Sequence, residues 1–597
     1  MRVSDFIASY LKSIGVKHVF LVAGGGMMHL LDSIGRCEGI SYICNHHEQA
    51  SAMAAGAYAR QTNSLGVCYA TSGPGATNTI TGVLEAWQDS APVLFITGQS
   101  KVSQTIRGSK IEGLRQFGTF EVDIVPIIQS LTKYSVFLDD PRMIRFHLEK
   151  AVKIALSGRP GPVFIDIPID IQAAPINPDE LIPSEDEIEL KYSLSDENAY
   201  QIVDKIKAAK RPLILAGHGI RCADAVSLFR SVIKKLNVPV VTTQLAKDLL
   251  SYDDPLFIGH PGVKGDRAGN LAIQNADVIL SIGSSLHVTT TGYELDRFAV
   301  NAYKIQVDID KAVLSRESVG VQQKIICDVT TFLKKIDSST NPDKEELIFN
   351  EWQKKCRYWK ENFAVINEPH QVDEERINYY SFIETLNELL NGGETIVTDA
   401  GSAYYVVGQA FKVKEDQRVI VSGALGTMGY AVPASLGVSA SDPNLQVVCI
   451  TGEGSLLTNI QELQTISHNG FNVKMFIVNN DGYSSIRNSQ KNFFSGYHVG
   501  ASRDSGVSFP EINDVAKAFK IPYIACNKHN IKSYLLDTLQ RQGPVICEIF
   551  AMQNQDILPT VSSIRLENGS MQSKPLHDMF PFLSEEQLLS NMYKIDV

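Results

Sequence analysis

The sequence has little that would favour a polyanion, a membrane or a disulfide framework as the basis of its function. No run of Lys and Arg forms a concentrated basic stretch, and 66 acidic against 55 basic residues give a formal net charge of −11 over 597 residues. Nucleic-acid binding needs a concentrated basic face, so we expect no nucleic-acid partner. No segment reaches the roughly 18 consecutive apolar residues of a membrane-spanning helix, so we expect no membrane insertion.

Cysteine usage indicates reduced thiols. The nine cysteines are dispersed and no CxxC pair occurs, which leaves zinc ribbons and thioredoxin-type sites without support. An odd, scattered set fits a reducing compartment better than a disulfide framework. The first residues, MRVSDFIASYLKSIGV, are typical of an amphipathic helix and lack the basic segment and apolar core of a signal peptide. We therefore predict a cytoplasmic protein.

Short apolar runs alternate with longer helical patterns along almost the whole chain. Continuous apolar strands are typical of parallel sheets that helices cover on both faces. The sequence therefore predicts an α/β fold of open parallel sheets, with functional sites at the carboxyl ends of strands. The clearest runs are at residues 16–22, 65–70, 92–97, 163–167, 212–215, 278–282, 305–307, 395–398, 447–450, 473–478 and 545–550.

Two charged, proline-containing segments interrupt this alternation and are predicted to be linkers, at residues 174–191 and 338–375. The second includes a helical pattern around Trp352 and Trp359. The predicted units are three α/β domains at 1–173, 192–337 and 376–555, followed by a tail at 556–597 in which no sheet pattern is visible.

The strongest chemical signal lies in the third unit. One predicted strand runs into Thr-Gly-Glu-Gly-Ser at 451–455, and the next strand runs into Asn479 and Asn480. Glycines at a strand end allow the backbone to approach a ligand, and the following helix presents its N-terminus to an anion. The Glu453 carboxylate and an amide oxygen from the neighbouring strand end can share one hard cation, which would neutralise a diphosphate. A simple strand-to-helix turn is the alternative explanation of Gly-Glu-Gly alone.

The spacing of these groups resembles the thiamine diphosphate motif shared by decarboxylases, transketolases and acetohydroxyacid synthases. The stretch from Ser455 through Val478 has the 24 residues that separate the two halves of this motif. The usual central Asp is Glu453 here, which keeps the carboxylate and adds a methylene. The resemblance implies that Mg²⁺ is held by Glu453, Asn480 and the carbonyl of Gly482. It implies that the diphosphate is contacted by Gly452, Gly454 and Ser455.

A second match lies in the first unit. The stretch NHHEQASAMAAGAYAR at 45–60 places Glu48 at the start of an Ala-rich helix and resembles the family pattern HEQ-A-x-x-A-x-G-Y-A-R. In this family a carboxylic acid beside the aminopyrimidine ring promotes the imino form that deprotonates the thiazolium carbon. Without the family pattern, Glu48 would be explained as a first-turn residue favoured by the helix dipole. The resemblance implies Glu48 as the catalytic acid, with His47 facing the substrate.

Four further segments follow in the family order. In the first unit these are VAGGGMM at 22–28, with Gly25 in a loop over the reactive carbon, and TSGPGATN at 71–78, with Pro74 and Asn78 in the pyrimidine-binding core. In the third unit these are DAGS at 399–402, with Gly401 and Ser402 as further diphosphate contacts, and SGALGTMGY at 422–430, with Gly426 and Met428 holding the bent coenzyme.

Taken together, the chain resembles the acetohydroxyacid-synthase-like branch of the thiamine-diphosphate superfamily. The resemblance implies a pyrimidine-binding domain, a central domain and a diphosphate-binding domain, in that order. It also implies that each site lies between the first domain of one protomer and the third domain of another. A homodimer would then be the smallest active unit, with a homotetramer as the alternative.

The segment after the Asn-Asn pair departs from the synthases. Where they carry a Met and a Trp that shape the acceptor pocket, alignment from that pair places Ser485 and Ser489. The loss of two large side chains opens volume, and two hydroxyls add polar contacts. Arg487, between them, is expected to bind a phosphate or carboxylate of the acceptor. Gln116 and Phe120 are expected to complete the substrate pocket.

These features predict a carboligase that decarboxylates a small 2-keto acid, with pyruvate favoured. The resulting acyl anion would add to a carbonyl acceptor larger or more polar than in acetolactate synthesis, such as a nucleotide-linked ketosugar. Family relatives that transfer a two-carbon unit to such a ketosugar provide the precedent. The alternatives are acetolactate synthase proper, a non-oxidative 2-keto acid decarboxylase, a C–C bond hydrolase, a flavin-linked oxidase and a non-catalytic binding subunit.

The sequence leaves FAD binding open. The central domain of the synthases binds FAD, and LAGHG at 215–219 and FIGHPG at 257–262 resemble the flavin-facing loops. The two Arg of the usual G-x-R-x-x-x-R segment, however, are Ser285 and Thr289 here. Arg suits a diphosphate through its fixed charge and planar fork, so two expected diphosphate contacts are missing.

Overall fold

Three parallel sheets form the framework of the molecule. The computed structural model describes residues 1–185, 193–340 and 349–593. Within them, each of three six-stranded sheets contains only parallel strand pairs. The predicted α/β class is confirmed, and every apolar run named from the sequence coincides with or overlaps a strand. The central strands are buried along their whole length, because helices cover both faces of each sheet.

The strands of the three sheets follow the chain order. The first sheet contains β1 His18–Leu21, β2 Ser41–Cys44, β3 Gly66–Ala70, β4 Val93–Gln99, β5 Tyr134–Phe137 and β6 Val163–Pro168. The second contains β7 Pro212–Ala216, β8 Val240–Thr242, β9 Phe257–Gly259, β10 Val278–Ile282, β11 Tyr303–Asp308 and β12 Gln323–Ile326. The third contains β13 Thr395–Thr398, β14 Arg418–Val421, β15 Val447–Gly452, β16 Val473–Asn479, β17 Tyr523–Cys526 and β18 Val545–Phe550. Their spatial orders are β2-β1-β3-β4-β6-β5, β12-β11-β10-β7-β8-β9 and β14-β13-β15-β16-β18-β17.

The α-helices connect these strands. They are α1 Val3–Ser13, α2 Met28–Arg36, α3 Glu48–Thr62, α4 Pro74–Asn78, α5 Ile80–Gln88, α6 Ile106–Ser109, α7 Ile124–Ile128, α8 Ile144–Leu156, α9 Ile169–Ala173, α10 Asp196–Ala208, α11 Gly219–Cys222, α12 Val226–Leu236, α13 Arg267–Asn275, α14 Val288–Thr291, α15 Lys311–Leu314, α16 Val329–Ser339, α17 Asn350–Asn362, α18 Tyr379–Leu389, α19 Ser402–Ala410, α20 Ala431–Ser441, α21 Glu453–Thr458, α22 Glu462–Asn469, α23 Ser484–Phe493, α24 Ile512–Ala518, α25 Ile531–Gln540 and α26 Glu585–Ser590. Across the described residues, none of these helices is both long and apolar enough to cross a membrane.

The predicted linkers lie partly outside the described residues, at 186–192 and 341–348. The helical pattern around Trp352 and Trp359 is confirmed as α17. Both indole rings are buried, and the indole N–H of Trp352 donates to the Pro212 carbonyl at 2.8 Å. This helix therefore packs on the second sheet through its apolar side. The domain limits at 173, 192, 337 and 376 stay predictions.

The tail contains short strands that the sequence did not reveal. The pair β19 Thr560–Val561 and β22 Met579–Phe580 is antiparallel, as is the pair β20 Ser563–Arg565 and β21 Met571–Ser573. Strands of two or three residues are too short to produce an alternating pattern, which is why the sequence shows no sheet pattern in the tail. Arg267 of α13 donates to the Met579 carbonyl at 3.2 Å, so the tail packs on the second domain of its own chain. Residues 594–597 lie outside the described residues.

Helix α3 of the first domain packs on α20 of the third domain. Both helices are rich in Ala and other small residues. A Cβ placed on Gly437 would lie 2.0 Å from the carbonyl oxygen of Ala54, so only glycine lets the two backbones approach this closely. The Ala-rich composition of α3 thus serves a tight helix contact that joins the first and third sheets within one chain.

Candidate active site

Glu453 and the Asn-Asn loop meet at the carboxyl ends of two neighbouring strands. Gly452, the last residue of β15, pairs with Val478 of β16, so the two loops that follow these strands are adjacent. Oε1 of Glu453 accepts the backbone N–H of Asn480 at 3.1 Å and that of Gly482 at 2.8 Å. These two hydrogen bonds therefore join Glu453 to the loop that carries the other predicted metal ligands, Asn480 and Gly482.

The Glu453 side chain is 2% exposed. Burial raises the pKa of its carboxyl to about 7, although the N–H groups of Gly482 and Asn480 act in the opposite direction. Desolvation disfavours the ionised form, and a nearby cation would restore it. Arg487 acts on this carboxylate from a distance, but among the described residues no Lys or Arg forms a direct ion pair with it, so a divalent ion beside Glu453 would stabilise its ionised form.

Arg487 lies beneath the Asn-Asn loop and not in an open pocket. It is 5% exposed, and its guanidinium donates to the carbonyls of Asn480 at 2.8 Å, Asp481 at 3.0 Å and Gln553. Nη2 also lies 3.2 Å from Oδ1 of Asn480. These bonds occupy the fork that was expected to receive an acceptor anion. The expectation is corrected: Arg487 holds the loop in place, because the loop carbonyls of Asn480, Asp481 and Gln553 accept its N–H groups.

Ser485 lies beside the N-terminus of α19. Its hydroxyl is 3.3 Å from the hydroxyl of Ser402, and a Cβ placed on Gly401 would lie 3.3 Å from the same oxygen. Gly401 has a φ of 68°, a conformation that favours glycine. Ser489 follows one turn later on α23, is exposed, and donates to the Ser485 carbonyl at 3.0 Å. The structure thus brings two predicted pocket residues to the predicted diphosphate contacts.

The glycines of the Gly-Glu-Gly turn have different surroundings. A Cβ on Gly454 would lie 2.2 Å from Cε1 of Tyr483, so a side chain there would displace the ring. A Cβ on Gly452 would meet nothing closer than the Val478 carbonyl at 3.9 Å, which leaves open space at the strand end. Ser455 is buried in the first turn of α21. The backbone around Gly452 is therefore the part of this turn that a ligand can approach.

The segment at 422–430 presents Met428 to the surface. Met428 is 39% exposed, and Gly426 next to it is exposed with a φ of 70°. Buried Asp399, at the end of β13, accepts the N–H of Gly429 at 2.9 Å and the hydroxyl of Thr451 at 2.9 Å. Asp399 therefore ties the Met428 segment to the strand ends that carry the third-domain cluster, which we define as Gly401, Ser402, Met428, Glu453, Asn480 and Ser485.

In the first domain, Glu48 begins α3 and is held by Asn78. The Asn78 amide donates to Oε2 of Glu48 at 2.9 Å, and the carboxylate is 9% exposed. A Cβ placed on Gly75 would lie 3.3 Å from Oε1, so the turn at 73–78 packs directly on the acid. Pro74, at the exposed N-terminus of α4, lies in the same turn. These residues form the first-domain cluster.

His47 is the N-cap of α3. Its Nδ1 accepts the backbone N–H of Gln49 at 3.1 Å, which leaves Nε2 as the ring nitrogen that can exchange a proton. The backbone N–H groups of His46 and His47 donate to Oε1 of Glu462 at 2.9 and 3.1 Å, and the Asn45 amide donates to its Oε2 at 2.9 Å. Glu462, from α22 of the third domain, therefore fixes the turn before Glu48. Its distant position in the sequence gave no signal of this role.

Gly25 lies in an exposed loop next to the first-domain cluster. A Cβ placed on Gly25 would meet nothing within 4 Å. A Cβ on Gly24 would lie 2.4 Å from Cβ of Thr71, and a Cβ on Gly26 would lie 2.6 Å from Oγ of Ser72. The N–H of Gly26 donates to the Thr71 hydroxyl at 3.1 Å. The flanking glycines thus fit the loop against 71–72, while Gly25 faces open space.

Phe120 and Gln116 belong to a surface loop beside this cluster. Phe120 is 69% exposed, and its carbonyl oxygen would lie 2.3 Å from a Cβ placed on Gly73. Gln116 is also exposed. In the described part of the chain, no hydrogen bond joins the first-domain cluster to the third-domain cluster.

Comparison with known proteins decides the family. The chain matches "Thiamine pyrophosphate enzyme, N-terminal TPP binding domain" over residues 1–119, the corresponding "central domain" over 200–336 and the "C-terminal TPP binding domain" over 399–549. The chain belongs to the thiamine pyrophosphate enzyme family. This confirms the resemblance stated from the sequence and makes the protein a thiamine-diphosphate-dependent enzyme of the acetolactate-synthase type.

Several relatives are similar over almost their whole length. The acetolactate synthase large subunit of Porphyra purpurea is 32% identical, over 92% of this chain and 91% of its own. That of Lactococcus lactis is 30% identical, over 94% of both chains. The isozyme 1 large subunit of Escherichia coli is 28% identical, over 94% of this chain and 95% of its own. These family members share all three domains with this protein.

Proposed function

We propose that this protein decarboxylates a small 2-keto acid, with pyruvate favoured, and transfers the acyl unit to a carbonyl acceptor larger or more polar than a second pyruvate. A nucleotide-linked ketosugar is one acceptor of this kind. The observation that carries this choice is the small polar surface of α23, where Ser485 is half-buried next to Ser402 and Ser489 is exposed one turn away. The small side chains of Ser485 and Ser489 leave space for a large acceptor, and their hydroxyls can form hydrogen bonds with a polar one.

The residues present fit thiamine diphosphate with Mg²⁺. Glu453 and Asn480 lie at two adjacent strand ends, where the backbone N–H of Asn480 donates to Oε1 of Glu453 at 3.1 Å. Carboxylate and amide oxygens are the hard ligands that Mg²⁺ prefers. Gly482 would add its carbonyl, and the Gly452 turn leaves space for the diphosphate. The exposed Met428 would support the coenzyme rings. When bound, the coenzyme supplies the carbon that accepts the acyl group of the keto acid.

The protein's own groups would provide acid–base catalysis and orientation. Glu48, held by Asn78, would exchange a proton with the coenzyme ring. Nε2 of His47 would handle a proton of the substrate, because Nδ1 is occupied by the Gln49 N–H. The exposed loop at Gly25 would close over the reacting carbon, and Phe120 and Gln116 would contact the acceptor from the same domain.

A second copy of the chain would complete each site. Within one protomer, the first and third domains pack on each other through α3 and α20, and no hydrogen bond joins the two clusters in the described part of the chain. In a homodimer, the first-domain cluster of one protomer would face the third-domain cluster of the other, so that the two clusters form one complete site. A homotetramer would be a pair of such dimers. The nine free cysteines support a location in a reducing, cytoplasmic compartment.

The experiment is a product analysis of the full-length protein with thiamine diphosphate and Mg²⁺. Pyruvate is supplied alone, with 2-ketobutyrate, and with a nucleotide-linked ketosugar, and each mixture is analysed by mass spectrometry. We expect a two-carbon adduct of the ketosugar. Acetolactate as the sole carboligation product would favour acetolactate synthase proper, which the names of the relatives support. Free acetaldehyde in every mixture would favour a simple decarboxylase.

A further inference from the structure

The third-domain cluster needs a cation if its acceptor is anionic, and the two arginines beside it do not supply one. Arg487 donates to three carbonyl groups of the protein. Arg376 pairs with Asp481 at 2.6 Å. Both guanidinium groups are therefore held by the protein itself. A charged acceptor needs a positive group whose donors are still free, and Lys264 of the second domain is such a group.

Lys264 lies in the turn between β9 and α13 and is half-buried. Its ammonium lies 5.9 Å from the centroid of the Tyr405 ring. In the described part of the chain, this ammonium donates no hydrogen bond and pairs with no carboxylate, and Asp556 acts on it only from a distance. Burial lowers the pKa of Lys264 to about 8, so the group is still mainly charged near pH 7. A partly desolvated cation with free donors is stabilised by an anionic ligand.

The backbone on both sides of Lys264 is fixed by other parts of the molecule. The N–H of Val561, in the tail, donates to the Val263 carbonyl at 2.9 Å. The side-chain amide of Gln409, on α19 of the third domain, donates to the Gly265 carbonyl at 3.1 Å. The turn is therefore held against α19 before any ligand binds. Such preorganisation lowers the cost of binding.

Tyr405 connects Lys264 to the predicted acceptor contacts. It follows Ser402 by three residues on α19, so the two side chains lie on the same face of this helix. The hydroxyl of Ser402 is 3.3 Å from that of Ser485. Neighbouring side chains on a helix face are about 5–6 Å apart, which places the Lys264 ammonium roughly 10 Å from the two serines. This separation suits a ligand whose carbonyl and negative charge lie at different ends.

We propose that Lys264 binds the diphosphate of a nucleotide-linked acceptor whose carbonyl-bearing sugar lies beside Ser402 and Ser485. The inference rests on the proposed function, because it uses the acceptor surface of α23 described there. The carboxylate of the keto acid is the other anion of the reaction, but it is joined directly to the reacting carbon. An anion held roughly 10 Å from the two serines is therefore that of the acceptor.

The first test is isothermal titration of the full-length protein loaded with thiamine diphosphate and Mg²⁺. The probes are UDP-glucose, CDP-glucose and TDP-glucose, which carry the diphosphate but no ketone. We expect the wild type to bind at least one of them. Lys264→Met should weaken that probe about tenfold or more, because it removes a charge-assisted hydrogen bond, whereas Lys264→Arg keeps the charge and should retain most of the affinity. Binding of none of the probes, or equal binding by wild type and Lys264→Met, would overturn the proposal.

The second test is steady-state turnover of pyruvate with a nucleotide-linked ketosugar. Lys264→Met should raise the KM of the ketosugar about tenfold or more and leave the KM of pyruvate unchanged. A raised KM of pyruvate alone would assign the ammonium to the keto acid and overturn the proposal. Lys234→Met, at an exposed residue of the same domain, should change neither constant.

The two tests separate this inference from the proposed function. If the wild type converts no ketosugar, the proposed function fails, and the titration still decides whether Lys264 binds a diphosphate. If the wild type converts the ketosugar and Lys264→Met does so with unchanged KM, only the assignment of Lys264 fails. Lys264→Gln is measured in parallel, because it removes the charge but keeps a polar end, so that the tests hold even if Lys264→Met does not fold.

Discussion

The Asn78 amide donates a hydrogen bond to Oε2 of Glu48 at 2.9 Å, and so ties the last residue of α4 to the first residue of α3. The bond fixes a carboxylate at the carboxyl edge of the first sheet, with its second oxygen next to the turn at Gly75. A held carboxylate of this kind can exchange a proton with a ring nitrogen without reorienting. This geometry is the basis for the first prediction.

Glu48→Gln should abolish turnover while the protein still folds and binds the diphosphate. Gln keeps the shape and the oxygen that Asn78 contacts, but it cannot exchange a proton, and loss of general acid–base catalysis costs about 100-fold or more. The measurement is deuterium exchange at the reactive carbon of the coenzyme, together with keto acid consumption. Glu38→Gln, at an exposed residue of the same domain, is the control. Near-wild-type exchange in Glu48→Gln would remove this residue from its role.

Glu453→Gln should weaken Mg²⁺-dependent coenzyme binding about tenfold or more. The amide keeps the oxygen that receives the N–H groups of Asn480 and Gly482, so the loop should remain folded. The measurement is titration of thiamine diphosphate at fixed Mg²⁺ and then without it. Glu415→Gln, at an exposed residue of the same domain, should change neither titration. Equal Mg²⁺ dependence in the Glu453 variant and the wild type would contradict Glu453 as a metal ligand.

Asp89→Asn should impair coenzyme binding through the Met428 segment. Asp89 accepts the N–H of Ala424 at 3.1 Å and pairs with buried Arg60 at 3.0 Å, while Arg60 donates to the Val421 carbonyl at 2.7 Å. Removing the charge leaves a buried guanidinium unpaired, which costs about 3 kcal/mol or more. We expect a raised Kd for the coenzyme and a lower melting temperature. If only the melting temperature changes, the pair is structural and does not position the segment.

Ser485→Met combined with Ser489→Trp should shift products toward small acceptors. The larger side chains would fill the space beside Ser402 and remove two hydroxyls, as in the synthases. The ratio of ketosugar adduct to acetolactate should fall about tenfold, since steric exclusion of a bulky substrate is worth 1–3 kcal/mol. Ser533→Met, on an exposed face of α25, is the control. An unchanged product ratio would place acceptor selection elsewhere.

Stability should depend on pH through Asp166. Burial of Asp166 in β6, between β4 and β5, raises the pKa of its carboxyl to about 7 from 3.8, against the effect of hydrogen bonds from Thr97 and Gln99. The native state therefore holds a proton that the unfolded chain releases, and this stabilising contribution, up to about 4 kcal/mol, is lost as pH rises from about 4 to about 7. The melting temperature of the wild type minus that of Asp166→Asn should fall over this range. A difference that stays constant would mean that Asp166 is ionised throughout.

The positions of the chemical groups along the chain could be predicted, because each follows an apolar run. Glu453 and Asn480 follow neighbouring strands of the third sheet and meet at its carboxyl edge, and Glu48 follows β2 of the first sheet. The meeting of Glu453 with the Asn480 loop required only the fold class and the glycines beside them. The direction in which a helix points its side chains was not predictable in the same way. Arg487 therefore lies under its loop, since three carbonyl groups turn toward it there.

The sequence by itself predicted an α/β protein of the thiamine-diphosphate-dependent type, which the three parallel sheets and the family matches confirm. It also predicted a diphosphate turn, a metal-binding carboxylate and a catalytic Glu. These features depend on local patterns: continuous apolar strands, glycines at their ends and one acid in a first helical turn. Only the tertiary structure decided which distant groups hold them. Glu462 secures the turn before Glu48, and Asp89 secures the loop before Met428, across contacts of more than 300 residues in the sequence. Such contacts arise from the packing of α3 on α20, and no local pattern encodes them.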